Sequence, residues 1–133
     1  MSLLHKILGR SRRKEEPMEL VRAINTTRDV VIATRIGWAG TSQTRRRGLL
    51  GRDDLGDDEG VYIVPTQWVH MFGMRISIDV AYLAEDGRVL SVQSHLKPNR
   101  LSKPVWRAEG ALEVAAGRLA ATGTRVGDII VFE

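Results

Sequence analysis

The chain has 133 residues, 43% of them apolar, which fits one domain with material for a core and excludes wholesale disorder. It contains no cysteine, so disulfides, thiol nucleophiles, iron–sulfur clusters and cysteine zinc sites are out. No stretch approaches 18 uninterrupted apolar residues, so no membrane-spanning helix is expected, and the formal charge is only +4.

That charge is uneven. Lys6, Arg10, Arg12, Arg13 and Lys14 against Glu15 and Glu16 put +3 on residues 1–17, leaving +1 for the rest. A nucleic-acid protein usually carries its positive charge on the folded domain, so nucleic acid is not an expected partner. Leu3, Leu4, Ile7 and Leu8 fall at helical spacing and offer a weak contact for a membrane surface. An isolated helix under ~12 residues is marginal in water, so residues 1–17 read as a disordered basic tail. His5 and Lys6 break the apolar run a secretion signal needs, which makes the cytoplasm the expected location. Pro17 marks a boundary, and 18–133 reads as a single β-rich domain.

Short Val- and Ile-rich segments separated by Gly, Asp or Pro recur at 20–25, 30–36, 61–64, 69–72, 76–84, 89–96, 111–114 and 129–132. This spacing predicts a mostly β fold, a compact antiparallel β-sandwich or partly closed barrel with one or two short helices. The first helix is expected after Gly40, capped by Thr41 or Ser42, with Leu49 and Leu50 packed inward and Gly51 at its end. Its Arg45, Arg46 and Arg47, with Arg52 beyond, form the domain's only basic cluster. Three successive helical residues span about 200° of the helix surface. A solvated face neutralised by Asp53, Asp54, Asp57 and Asp58 therefore explains them better than a phosphate site.

The stretch from Trp68 to Arg75 gathers Trp, His, Phe and two Met at low charge. Such residues fill cores and also line apolar ligand pockets with one or two polar groups. Both readings stand here, with His70 as the polar group. A hairpin follows at Glu85-Asp86-Gly87, where a three-residue loop with left-handed Gly87 pairs Tyr82 with Leu90, Val80 with Val92 and Ile76 with Leu96. The opposite face then carries Ser77, Asp79, Ser91, Gln93 and His95, explained as a solvated sheet face. A Ser77–His95–Asp79 triad lacks any oxyanion elbow. His70, His95 and Asp79 lack the spacing of a metal set. No metal or cofactor is predicted. A short helical turn is expected at 118–121, between Gly117 and Gly123.

Taken in order, these segments resemble one family. Residues 39–52 look like its opening A-x-T-x-x-x-R-x-x-G-L-M-x-R, and His70-Met-Phe-Gly-Met74 with Ile78-Asp79-Val80 resembles its H-T-F-x-M … I-D-V pair. Asp86-Gly87-Arg-Val89, Leu96 to Arg100, and Ala111 to Gly117 followed by Gly127-Asp128 are similar to its later motifs. The family is the bacterial and archaeal domain of unknown function 192. The resemblance implies a compact β-sandwich or barrel and no reaction. Leu50 for the family's Met, and Ala115 for its Pro, are departures that leave the fold intact.

Among its motif positions Arg52, His70, Asp79, Arg100 and Glu113 come from five elements, and buried charges need partners. They make either a structural ion-pair network or a polar ligand site. Three functions are compatible with this: a binding module for a small polar ligand or partner segment near His70, Met74 and Arg100; a hydrolase using His70 with Asp79 or Glu113; or an accessory domain docking on a membrane or protein through its tail. The binding module is the preferred reading, with His70, Met74, Asp79, Arg52, Arg100 and Glu113 as candidate ligand residues and no catalytic residue identified.

Overall fold

The computed structural model describes residues 16–133; the tail predicted for 1–17 lies almost wholly outside them. In chain order the elements are β1 (Leu20–Asn25), β2 (Val30–Ala39), α1 (Ser42–Arg47), β3 (Glu59–Ile63), β4 (Ile78–Leu83), β5 (Val89–Leu96), β6 (Gly110–Ala115), α2 (Arg118–Ala121) and β7 (Ile130–Phe132). The strands form one seven-stranded sheet in the order β5-β4-β6-β3-β2-β1-β7, curled into a half-barrel. All pairings are antiparallel except β2 with β3, which run parallel because α1 carries the chain across between them. Segment 69–72, expected as a strand, makes only the isolated bridge His70–Leu101.

The curl brings the outermost strands together at one end. Val89 N donates to Asp128 O at 2.8 Å, Gly127 N to Val89 O at 2.8 Å, and Ile130 N to Gly87 O at 2.9 Å. Asp128 secures this seam. Its Oδ2 accepts from Asn25 Nδ2 at 2.9 Å, Arg28 Nε at 2.7 Å and Arg125 N at 3.0 Å. Burial pushes the Asp128 pKa up, but these hydrogen bonds and the Arg28 charge outweigh it and hold the carboxyl below its ordinary value.

Period-2 alternation gives the sheet two apolar faces, and both are covered. Ala81, Leu83, Leu112 and Val114 point into the curl with Ile32, Ile36 and Leu119. Ile78, Val80, Tyr82 and Ala111 point outward, beneath Leu49, Val69 and Met71. Every residue of β4 and β6 is therefore buried.

The hairpin has the expected three-residue loop: Gly87 N donates to Ala84 O, Ala84 N to Arg88 O, and Gly87 has φ +87°. Beyond it the register departs from expectation. Leu83 pairs with Val89, but Tyr82 faces Ser91, Val80 faces Gln93 and Ile78 faces Leu96, with shifts between Tyr82/Leu83 and Ile78/Val80. Both extra residues sit on β5, an edge strand, where bulges are tolerated. The second coincides with the left-handed backbone of His95, φ +52°. Leu90 and Leu96 consequently pack on the outer face and Val92 on the inner one.

Gly87 has a left-handed backbone, and a Cβ there would collide with the Ile130 carbonyl oxygen in the seam. Gly51 has φ +85° with open space around it. Strain alone costs about 1–2 kcal/mol for a non-glycine residue, so Gly51→Ala should lose about that much. Gly87→Ala should lose about 2–4 kcal/mol once overpacking is added. Urea denaturation of the two variants measures the difference, and equal losses would refute the seam's contribution.

Candidate functional site

On the outer face of the sheet, a cleft of about 530 Å³ runs between α1 and the 65–74 segment. One wall begins at Thr41, whose hydroxyl accepts from Thr44 N at 3.1 Å while Thr44 Oγ1 accepts from Thr41 N at 3.0 Å. This reciprocal cap fixes the start of a six-residue helix. The helix ends at Gly48, not at the expected Gly51. Leu49 then drops into the core, while Leu50 stays 49% exposed, against the expectation that both pack inward.

The facing wall, carrying Trp68, His70, Phe72 and Met74, is tied down from behind. Tyr82 Oη lies 2.6 Å from Ser102 Oγ, and Val69 N donates to that Tyr82 oxygen at 2.9 Å. Trp68 Nε1 donates to Ser102 O at 2.8 Å, and Met71 N to Arg100 O at 2.8 Å. Burial pushes the Tyr82 pKa up, so its hydroxyl stays neutral and free to hydrogen-bond.

The floor holds Glu113. It stands on β6 opposite Val80, so it shares the outer face with Ile78, Val80 and Tyr82. It is 5% exposed and, among the described residues, its carboxyl has no hydrogen-bond or ion-pair partner. Burial alone pushes its pKa up to about 7. Gly48 lies beside it, with room for a Cβ 3.7 Å from Oε1. A buried carboxyl without a partner costs several kcal/mol when ionised, and such groups cluster at functional sites.

Six residues carried the sequence expectation, and the structure brings three of them together: His70, Met74 and Glu113 all line the cleft. His70 is held by Phe72, whose N donates to Nδ1 at 3.3 Å and whose ring lies 5.1 Å away. Arg52 does not line it; it pairs with Glu59 at 2.6 Å, and that hydrogen bond lowers the Glu59 pKa. Arg100 projects from the 97–100 turn, outside the cleft lining, and serves the site only through its carbonyl.

Asp79 is the clearest correction. It lies on the inner face, fully buried, where a solvated polar face was expected. Its Oδ1 accepts from His95 N at 2.9 Å, and its Oδ2 from Gly117 N at 3.0 Å and Leu119 N at 3.1 Å. Those bonds occupy the carboxylate and put the sheet between it and His70, so neither the triad nor the His70–His95–Asp79 metal set forms. Among the described residues no group of His, Asp and Glu is placed to hold a metal ion.

Arg45 and Arg46 are cleft-lining residues that the sequence reading set aside. With Arg47 they line the cleft despite their spread around the helix, because long side chains on a two-turn helix reach round to the same rim. Arg45 donates to Gly40 O at 3.2 Å and Ser42 Oγ at 3.4 Å. Arg47 donates to Glu16 O at 2.9 Å. The expected neutralisation by the following aspartates does not occur; Asp53 pairs instead with Arg75 at 3.0 Å.

The class is thus a small half-barrel domain with a polar-floored cleft on the convex side of its sheet. Residues 23–132 match the model of DUF192, "Uncharacterized ACR", and the chain belongs to that family. No curated protein matches the chain. A solved protein of unknown function from Novosphingobium aromaticivorans DSM 12444 is 26% identical, with a TM-score of 0.73 over 86% of this chain and 84% of its own. A proposed transcription regulator from Sinorhizobium meliloti 1021 is 22% identical, with a TM-score of 0.71 over 90% of this chain and 98% of its own. The second likeness shows the fold alone. No helix among the described residues is long and apolar enough to cross a membrane.

The two buried carboxyls should respond oppositely to removal. Asp79→Ala leaves three N–H groups without their acceptor, that of fully buried Leu119 among them, and removes a fully buried carboxylate. It should cost about 3–5 kcal/mol in urea denaturation, and a loss under 1 kcal/mol would contradict this assignment. For Glu113 the folded pKa of about 7 exceeds the ordinary 4.5, so protonation favours the fold. Its contribution is intact below pH 4.5 and lost as pH rises to about 7. Relative to Glu113→Gln, the wild-type chain should lose about 3 kcal/mol across that interval. A pH-independent difference would show that Glu113 titrates normally.

Proposed function

We propose that the chain is a binding domain for a small organic acid that also carries a hydrogen-bond donor, held in the cleft over Glu113. The observation that carries this is the Glu113 carboxyl, on a buried residue yet open to the cleft and without a partner among the described residues, in a lining that also holds arginines. A ligand hydroxyl, amide or ammonium supplies the partner Glu113 lacks, and its anionic group meets Arg45 and Arg46. Trp68, Phe72 and Met74 cover an apolar body, while His70 adds one adjustable donor or acceptor. Arg100 and Asp79 have no part in this site.

The same carboxyl supports a second reading, a hydrolase with Glu113 as general acid beside His70, because a pKa near 7 suits proton transfer at neutral pH. The hydroxyls on the cleft wall, Ser42 and Thr66, are hydrogen-bonded to Arg45 and to the Trp68 backbone and not to His70 or Glu113, which favours binding.

The test is a thermal-shift panel of hydroxy acids, amino acids and sugar phosphates, followed by NMR of any hit for turnover. A ligand at a hundred times its Kd stabilises by about 2.7 kcal/mol, several degrees in a domain this size. We expect a hit that Glu113→Leu and Arg46→Ala each abolish. Consumption of the hit would move the assignment to the enzyme. Stabilisation that survives both substitutions, or silence across the panel, would overturn the site.

A further inference from the structure

The concave side of the sheet opens between β7 and the β4–β5 turn into a second hollow of about 370 Å³. Its wall contains Tyr62, Leu83 and Ile130 of the inner core, so it lies across the sheet from the Glu113 cleft. Three rings line it in contact: Trp38 and Tyr62 at 5.0 Å between centroids, Tyr62 and Phe132 at 4.5 Å, and Trp38 and Phe132 at 5.4 Å edge to face. Trp38 remains 37% exposed.

The charge on this mouth is of one sign. Among the described residues Glu85, Asp86 and Glu109 line it with no Lys, Arg or His, and none of the three forms an ion pair there. Tyr62 is 4% exposed, packed against Gly110, and its hydroxyl has no hydrogen-bond partner among the described residues. Burial first, and the Glu109 charge second, push its pKa up to about 12. The hydroxyl is therefore neutral, with a lone pair available beside a carboxylate.

We infer that the mouth of the half-barrel binds a small organic amine in its ammonium form. Its N–H groups are accepted by Glu109 and the Tyr62 hydroxyl, and its apolar body lies against Trp38 and Phe132. Aromatic faces attract cations, an unpaired hydroxyl near a carboxylate accepts from an ammonium, and the volume suits a small molecule. An anion would meet three carboxylates and, among the described residues of the lining, no cation. This site is independent of the cleft over Glu113 and of the acid proposed for it.

The experiment titrates the full chain with phenethylammonium and, separately, with the neutral 2-phenylethanol, following the Trp38 indole N–H by NMR after assignment with Trp38→Phe. The expected result is a saturable shift with the amine and binding about tenfold weaker for the alcohol and for Glu109→Gln, in line with one cation interaction. Tyr62→Phe should weaken the amine and leave the alcohol unchanged. Glu113→Leu should leave the amine's affinity intact. Equal affinity for amine and alcohol, indifference to Glu109→Gln, no shift in the millimolar range, or loss in Glu113→Leu would each overturn the assignment.

Discussion

Much of this molecule depends on one carboxylate holding three backbone N–H groups. Asp79 sits on β4, beside the edge strand, and its two oxygens gather His95 on that edge strand and Gly117 and Leu119 at the start of α2. Gly117 has no side chain with which to cap a four-residue helix, so Asp79 caps it from another strand. The helix in turn brings Leu119 and Arg118 over the inner face, where Arg118 Nε donates to Ile32 O at 2.7 Å. Without that lid the concave side of a single curled sheet would lie open to water, and β4 could not be buried on both faces. Hydrogen bonds to an ionised group are worth about 1.5–3 kcal/mol each, large against a domain stability of 5–15 kcal/mol.

Glu113 stands one strand away on the opposite face, and its circumstances are reversed. Nothing in the described chain answers its carboxyl, and burial makes ionisation costly near neutral pH. Two acids on neighbouring strands thus differ in whether the backbone supplies donors, one satisfied and the other left unanswered. The difference is physical, since the same side-chain chemistry is stabilising when satisfied and destabilising when left alone. The cleft above Glu113 is framed by rigid parts: α1 with its reciprocal Thr41–Thr44 cap, and a wall pinned through Tyr82 and Ser102.

The strands were legible because Val and Ile alternate between clear turn signals, and β1, β5 and α2 begin and end where residue pattern alone places them. The three-residue loop at Gly87 was expected because it kept the apolar residues of both strands on one face, and the loop is there. The register past it did not, because a bulge leaves no signature in an apolar pattern: Leu90, Val92 and Leu96 look like one face and occupy two. The inner face of β4 was misread for a related reason. Its cover, α2, is contributed by residues about forty positions further on, and no local feature of Asp79 announces it. His70 stood out as the polar group of the Trp68–Arg75 stretch, and Met74 and Glu113 came in through the family resemblance, whereas Arg45 and Arg46 were discounted by helical geometry that ignored side-chain length.

The two bulges of β5 also affect the free border of the sheet. A regular edge strand offers a row of unmatched N–H and C=O groups on which a strand from another molecule can build. Here that row is interrupted twice, and Gln93 fastens its amide to the Lys103 backbone, accepting from Lys103 N at 2.8 Å and donating to Lys103 O at 3.1 Å. The other border, β7, is three residues long and already stitched at Ile130 to the Gly87 turn. An incoming strand finds too few consecutive free positions on either side to hold its register, so the curled sheet resists growing into a larger one.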